Sequence, residues 1–198
     1  MTKTEQIQDV LNLKVDDRWG PATDAAVAAE KAASIARHAK PSAPVPVSNG
    51  DRVDPRSEIA IATLHRKVQP VARQLVKLAK QNDITIKITS GTRTYAEQNA
   101  LFAKGNVTKA RGGYSNHNFG LAFDVTIFDG PQPVWESKDY TTVGQLGKSL
   151  GLEWGGDWKS FRDEPHFQLR PGWASSVTES QMLSELRRRH DKGVDAFA

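Results

Sequence analysis

The chain has no cysteine among its 198 residues. That absence excludes disulfides, thiolate metal ligands and a cysteine nucleophile. Any metal bound here must be held through nitrogen and oxygen. Long apolar runs are missing as well: none approaches the ~20 residues that cross a bilayer, so membrane insertion is not expected. The opening residues Met1-Thr2-Lys3-Thr4-Glu5-Gln6 are not followed by the apolar stretch of a signal peptide. An excess of one charge is also lacking. Lys and Arg number 27 against 23 Asp and Glu, a net charge of +4. Mild basicity favours approach to anionic polymers, but the basic residues are scattered. Arg187-Arg188-Arg189 forms the one run and reads as solvated surface, so no nucleic-acid partner is expected.

What is present fits one ordinary domain and a small appendage. Hydrophobic residues make up 38%, enough for one core but lean for the whole length. Residues 4–37 read as helical, with a turn over 16–21 and an alanine-rich helix over 25–36 capped by Thr23 or Asp24. Residues 40–50 alternate proline with small residues and mark a semi-rigid linker. Ile61, Leu64, Val68, Val71, Leu75 and Leu78 recur every three or four residues, which predicts one long helix over 55–80. Residues 84–89 alternate and read as a strand, followed by a short helix over 95–104. A Gly-rich loop over 105–116 leads to a strand over 121–128. There Leu121, Phe123, Val125 and Ile127 face one side, and Ala122, Asp124 and Thr126 the other. A helix over 142–150, a strand over 166–169 and a helical tail from Thr178 complete the chain. The expected class is α+β: a small, largely antiparallel sheet with helices on one side, preceded by a small helical segment. The expected division is 1–38, a linker at 39–53, a main domain at 54–175 and a helical tail at 176–198.

One constellation carries chemistry. His117 and Asp124 lie in Ser115-Asn116-His117-Asn118-Phe119-Gly120-Leu121-Ala122-Phe123-Asp124, and His166 in Asp163-Glu164-Pro165-His166-Phe167. Two imidazoles and a carboxylate suffice for a catalytic zinc, which takes three protein ligands and keeps one open position. On a straight strand His117 and Asp124 would lie ~23 Å apart. Shared ligation therefore demands a chain reversal, for which Asn118-Phe119-Gly120 supplies turn residues. Asp124 is costly amid apolar neighbours unless it is paired or metal-bound. His38, His65 and His190 lack acidic neighbours in a ligand pattern and read as ordinary surface or hydrogen-bonded residues.

These motifs carry a resemblance. Ser90-Gly91-Thr92-Arg93, Ser115-x-His117-x-x-Gly120-x-Ala122-x-Asp124, Gly151-Leu152-Glu153-Trp154-Gly155-Gly156-Asp157-Trp158 and Asp163-x-Pro165-His166-Phe167 look like the zinc peptidoglycan peptidases. That family includes D-alanyl-D-alanine carboxypeptidases, vancomycin-resistance dipeptidases and phage L-alanyl-D-glutamate endopeptidases. The resemblance covers about 55–170. It implies a DD-peptidase/hedgehog-like fold and one zinc ion on His117, Asp124 and His166. Asp163 is implied as the general base rather than Glu164, which falls at the rim. Arg93 is implied to stabilise the oxyanion or hold a substrate carboxylate, with an ordinary salt bridge as the plain alternative. Ser115, Trp154 and Gln98 are implied substrate contacts, and Trp158 a candidate for the cleft wall.

Residues 7–27, with Asp17-Arg18-Trp19-Gly20-Pro21-Ala22-Thr23 at their centre, look like an abbreviated peptidoglycan-binding repeat. A helical hairpin packed on the main domain is the alternative. Together the resemblances imply a monomeric phage-type endolysin cutting the stem peptide of peptidoglycan between L-alanine and D-glutamate. Such a lysin would be stored in the host cytoplasm without a signal peptide and released through a holin. The alternatives are a D-alanyl-D-alanine carboxypeptidase, or a non-catalytic wall-binding or virion protein with an architectural zinc.

Overall fold

The computed structural model describes residues 49–198, apart from Asn106. The expected helical segment at 1–38 and most of the linker lie outside the described residues. A 3-10 turn at Asn49–Asp51 leads into helix α1, Pro55–Ile61. Asp54 caps α1 by accepting from Ser57 N, and Pro55 fills the first turn, where its missing N–H costs nothing. Helix α2, Gln69–Gln81, follows, then strand β1, Ile86–Ser90, and helix α3, Tyr95–Ala103, which is closed by a Thr94/Glu97 capping box.

The single long helix expected over 55–80 is broken at 62–68. Two causes are visible. Pro70 would clash with the carbonyl one turn back in a continuous helix, so it instead sits in the first turn of α2. His65 N turns away from its own helix to donate to Gly120 O at 3.0 Å. The apolar period survives the break: Ile61, Leu64, Val68, Ala72, Leu75 and Ala79 are all buried.

Strand β2, Ala122–Asp129, is the middle of the sheet. It pairs antiparallel with β1 on one edge. On the other edge it pairs with the short strands β3, Gln132–Val134, and β5, His166–Gln168, at opposite ends. Strand β4, Glu153–Trp154, adds to β5, and helix α4, Asp139–Ser149, connects β3 to β4. All the pairings are antiparallel, as expected; β3 and β4, at three and two residues, are too short to show a period in the sequence.

The alternation in β2 sorts the molecule into layers. Phe123, Val125 and Ile127 enter the main core with α1, α2, α4, Ile86, Ile88 and Phe167. Phe123 and Phe167 stack across the strands at 5.9 Å. Truncating either to alanine would cost about 3–5 kcal/mol, the usual cost for a buried phenylalanine. The other face carries Asp124, Thr126, His166 and Gln168.

Helix α5, Glu179–Asp191, follows a Thr178/Gln181 capping box. It is a packed element, because Met182, Leu183 and Leu186 bury against Phe119, Leu121 and Ala174. The arginine run is also less free than a solvated surface implies. Arg187 donates to Gly113 O, and Arg189 donates to Asp195 O and Ala198 O while lying over the Trp173 ring.

Candidate metal centre

The loop after β1 and the one before β2 build the site together. A register shift in the β1–β2 ladder sets Ser90 opposite Asp124 and ends β1 there. A 3-10 turn, Asn116–Phe119, then carries His117 and closes on Gly120, whose φ of 70° lies in the left-handed region. A side chain there would also press on His65 N at 2.8 Å, so glycine is required twice over. This is the reversal that the His117–Asp124 spacing demands. Asp124 and His166 are direct cross-strand partners in the β2–β5 ladder, so their side chains emerge side by side on one face.

The three donors converge. His117 Nε2 lies 3.3 Å from His166 Nδ1, and each lies 3.2 Å from Asp124 Oδ1. Ligands ~2.0–2.1 Å from a tetrahedral ion sit ~3.3–3.4 Å apart. The observed triangle matches that edge, and it is the one such group of ligating side chains among the described residues.

The direction of each lone pair is fixed from behind. His117 Nδ1 is 2.8 Å from Gly91 O, a pure acceptor, so Nδ1 carries the proton and Nε2 faces the centre unprotonated. His166 Nε2 is 3.0 Å from Gln168 Oε1, which leaves His166 Nδ1 for the centre. Outward N–H bonds that aim the free nitrogen are the usual support of a histidine metal ligand. Asp124 gives Oδ1 to the centre and takes Arg93 Nη2 on Oδ2. The donor set, its spacing and its orientation all fit a zinc ion.

Electrostatics agree. Burial raises the Asp124 carboxyl, but the two histidines outweigh it and hold the group well below its ordinary value, so it is ionised. Burial pushes His117 down, which keeps it neutral as a ligand must be. Burial lowers His166 too, but Asp124 and Gln168 outweigh it and raise the group above 6.5.

Asp163 sits three residues before His166, and its backbone is pinned: its N–H donates to Gly155 O at 3.0 Å, and its C=O accepts from His166 N at 3.1 Å. Gly155 is needed there, because a Cβ would stand 2.4 Å from Asp163 O. The Asp163 carboxylate itself makes no hydrogen bond or ion pair among the described residues. Burial first, then the Asp124 charge, raise its carboxyl above 3.8. A half-buried, unpartnered carboxylate of raised pKa beside a metal triad is a poised proton acceptor. It shares an open depression with Arg162, Glu164 and Pro165. Glu164 is spent on Arg162 at 2.7 Å.

The structure separates the other expected residues. Arg93 is committed to Asp124, Ser90 Oγ and Gln98 Oε1. Ser115 is half-buried and its side chain caps no helix end. Gln98 and Trp154 are corrections to the expected substrate contacts. Gln98 is 0% exposed, and its amide is used up on Arg93, Thr108 and Ala110. Trp154 is buried, and its indole N–H donates to Glu164 O. Trp158 is the tryptophan at the opening, 37% exposed, with its ring 4.9 Å from that of His166. Gln168 had no assigned role, although its place on the His166 face of the strand was a signal for it.

A family model described as D-alanyl-D-alanine carboxypeptidase matches residues 108–169, a span that holds His117, Asp124, Asp163 and His166. The chain is 38% identical over 125 residues to a peptidoglycan L-alanyl-D-glutamate endopeptidase, CwlK, of Bacillus subtilis, covering 54% of this chain and 74% of that protein. It is 33% identical to an L-alanyl-D-glutamate peptidase of a Listeria phage, covering 58% of this chain but 41% of the phage protein. Among solved structures, the L-Ala D-Glu endopeptidase ChiX of Serratia marcescens superposes with a TM-score of 0.52 at 27% identity, covering 60% of this chain and 90% of that one.

Proposed function

Because the chain belongs to the family of zinc-dependent peptidases that includes D-alanyl-D-alanine carboxypeptidase and the CwlK endopeptidase, we propose that it hydrolyses the L-alanyl-D-glutamate bond of the peptidoglycan stem peptide. The observation that carries this reading is the pairing of a zinc-shaped donor triangle with the unpartnered Asp163 carboxylate. The choice of bond is supported by the names of the two relatives, one bacterial and one from a phage. The phage source of one relative supports a role as an endolysin; action from the host cytoplasm after release through a holin is proposed with it. The enzyme is proposed to act as a monomer, without nucleic acid and without inserting into the membrane. Among the described residues no helix is long and apolar enough to cross one.

His117, Asp124 and His166 would hold the ion. A zinc ion bound there supplies Lewis acidity, polarising the scissile carbonyl and making a water nucleophilic near neutral pH. Asp163 accepts the proton of the attacking water at its carboxylate and returns it to the leaving amine. Its raised pKa suits both halves of that exchange, because a stronger base takes the proton and its conjugate acid still gives it up. Arg93 aims Asp124 through Nη2, while its remaining Nη1 hydrogen offers a donor to an oxyanion or a substrate carboxylate. Trp158 forms an aromatic wall beside His166, and Ser115, two residues before His117, is proposed to contact substrate through its hydroxyl.

Mass spectrometry of muropeptides digested by the zinc-loaded protein tests the reading. New amino-terminal D-glutamate is expected, and chelator should abolish it. Release of terminal D-alanine alone would replace the reading with a carboxypeptidase. Binding of sacculi without any cleavage would leave only a wall-binding protein.

A further inference from the structure

We infer that Gln168 and Glu153 are positioning residues for His166, and that the relay they form is anchored on the C-terminal helix. The inference rests on the metal-centre reading above and extends it to residues outside the ligand set. The chain of contacts runs through four segments. His166 Nε2 meets Gln168 Oε1 at 3.0 Å; Gln168 Nε2 donates to Glu153 Oε2 at 2.6 Å; Arg170 Nε donates to the other Glu153 oxygen. Arg170 Nη2 then donates to Glu179 Oε2 at 2.7 Å, in the first turn of α5. Asn116 closes the ring, with Nδ2 donating to Gln168 Oε1 at 2.7 Å and Glu179 Oε1 at 2.6 Å.

The direction of every proton in this ring is set by its ends. An arginine can only donate, and a carboxylate paired with it can only accept. Gln168 must therefore turn its NH2 toward Glu153 and its oxygen toward His166. That oxygen already takes one proton from Asn116, and its second lone pair takes the imidazole N–H. His166 is then protonated at Nε2 and presents Nδ1 to the metal. Gln168 is 3% exposed and His166 6%, so water cannot substitute for a missing partner at low cost. An amide alone could point either way; Glu153 removes the ambiguity. Glu179 and Arg170 lie beyond the matched family segment, which ends at residue 169, so α5 braces the metal centre from outside that segment.

The test measures zinc dissociation constants on the purified full chain by competition with a chromophoric chelator, with melting of the metal-free protein alongside. Gln168→Leu should weaken zinc binding about 10–100-fold, the usual effect of removing the partner behind a ligand. Glu153→Gln, at a half-exposed position that leaves folding intact, should weaken it about tenfold by letting the Gln168 amide flip. The double variant should bind no more weakly than Gln168→Leu alone, because Glu153 acts only through Gln168. In 15N–1H spectra of the zinc-loaded protein, the His166 proton should sit on Nε2 and be perturbed in both variants. Unchanged zinc affinity in Glu153→Gln, or losses that multiply in the double variant, would overturn the relay. A wild-type chain that binds no zinc would instead overturn the metal centre itself.

Discussion

Two histidine–aspartate clusters among the described residues, one at His117, His166 and Asp124 and one at His65 and Asp195, differ in where their lone pairs point. At the metal centre, His117 and His166 each donate one N–H outward and turn a bare nitrogen toward Asp124. In the link between α1 and α2, His65 Nε2 meets Asp195 Oδ1 at 3.2 Å, and His65 Nδ1 accepts from Lys67 N. Both nitrogens of His65 are thus satisfied by the protein. An arginine attends each aspartate, Arg93 in one case and Arg66 in the other. Composition is nearly the same; orientation is not. The first cluster converges three ligating atoms on one point and the second does not. The second instead ties Asp195 and Phe197 to the link before α2, with the Phe197 ring tilted against the His65 ring at 4.7 Å.

The strongest way to break the comparison is to remove one histidine from each cluster. His166→Ala should drop zinc content measured by atomic absorption from about one ion per chain to near zero, because two donors do not make a catalytic site. His65→Ala should leave zinc content unchanged. Equal zinc loss in both would mean that lone-pair direction does not decide ligation.

Next in size is Asp163→Asn. Wall hydrolysis should fall by about 10²–10⁴, the usual share of a general base, with zinc retained. The fold should become slightly more stable. The folded pKa of Asp163 is raised, so its stabilising contribution is present below the unfolded value and lost as pH rises through the folded one. Neutralising it removes that loss, and melting of the metal-free protein near neutral pH should rise. A variant with wild-type turnover would remove Asp163 from the mechanism.

Acidification should act on His166 and His65 with opposite signs. Metal-free His166 has a raised pKa, so its contribution is kept below 6.5 and lost as pH climbs through its higher folded value. Zinc competes with that proton, so zinc affinity should weaken as pH falls through the same window. At the other cluster, burial lowers His65 despite Asp195. Burial raises Asp195, but the Phe197 amide and His65 outweigh it and lower the group. Both contributions are present at neutral pH and lost on acidification. Zinc titrations and metal-free melts from pH 5 to 8, a window about the ordinary histidine value, would read the two trends separately. The smallest expected effect is Asp195→Ala, with a stability loss below ~1 kcal/mol for a partly exposed pair and unchanged zinc affinity.

Much of the centre was legible because its signals are local. Alternation in β2 placed Asp124 opposite Phe123 and Val125, and the turn residues before it allowed the reversal at Gly120. The break between α1 and α2 was hidden, because the apolar period runs through it unbroken. It depends on a hydrogen bond from His65 to a residue 55 positions away. Gln98 and Trp154 carried polar atoms in suggestive motifs, but motif spacing does not say which polar atoms the fold consumes.

Sequence alone determined the donor types, the absence of thiolate chemistry and the face of β2 on which a carboxylate would stand, since these follow from side-chain identity and a period of two. Only the tertiary structure decided which histidines keep a lone pair free. That depends on acceptors from distant segments, the Gly91 carbonyl behind His117 and the Gln168 amide behind His166, and no local period encodes them.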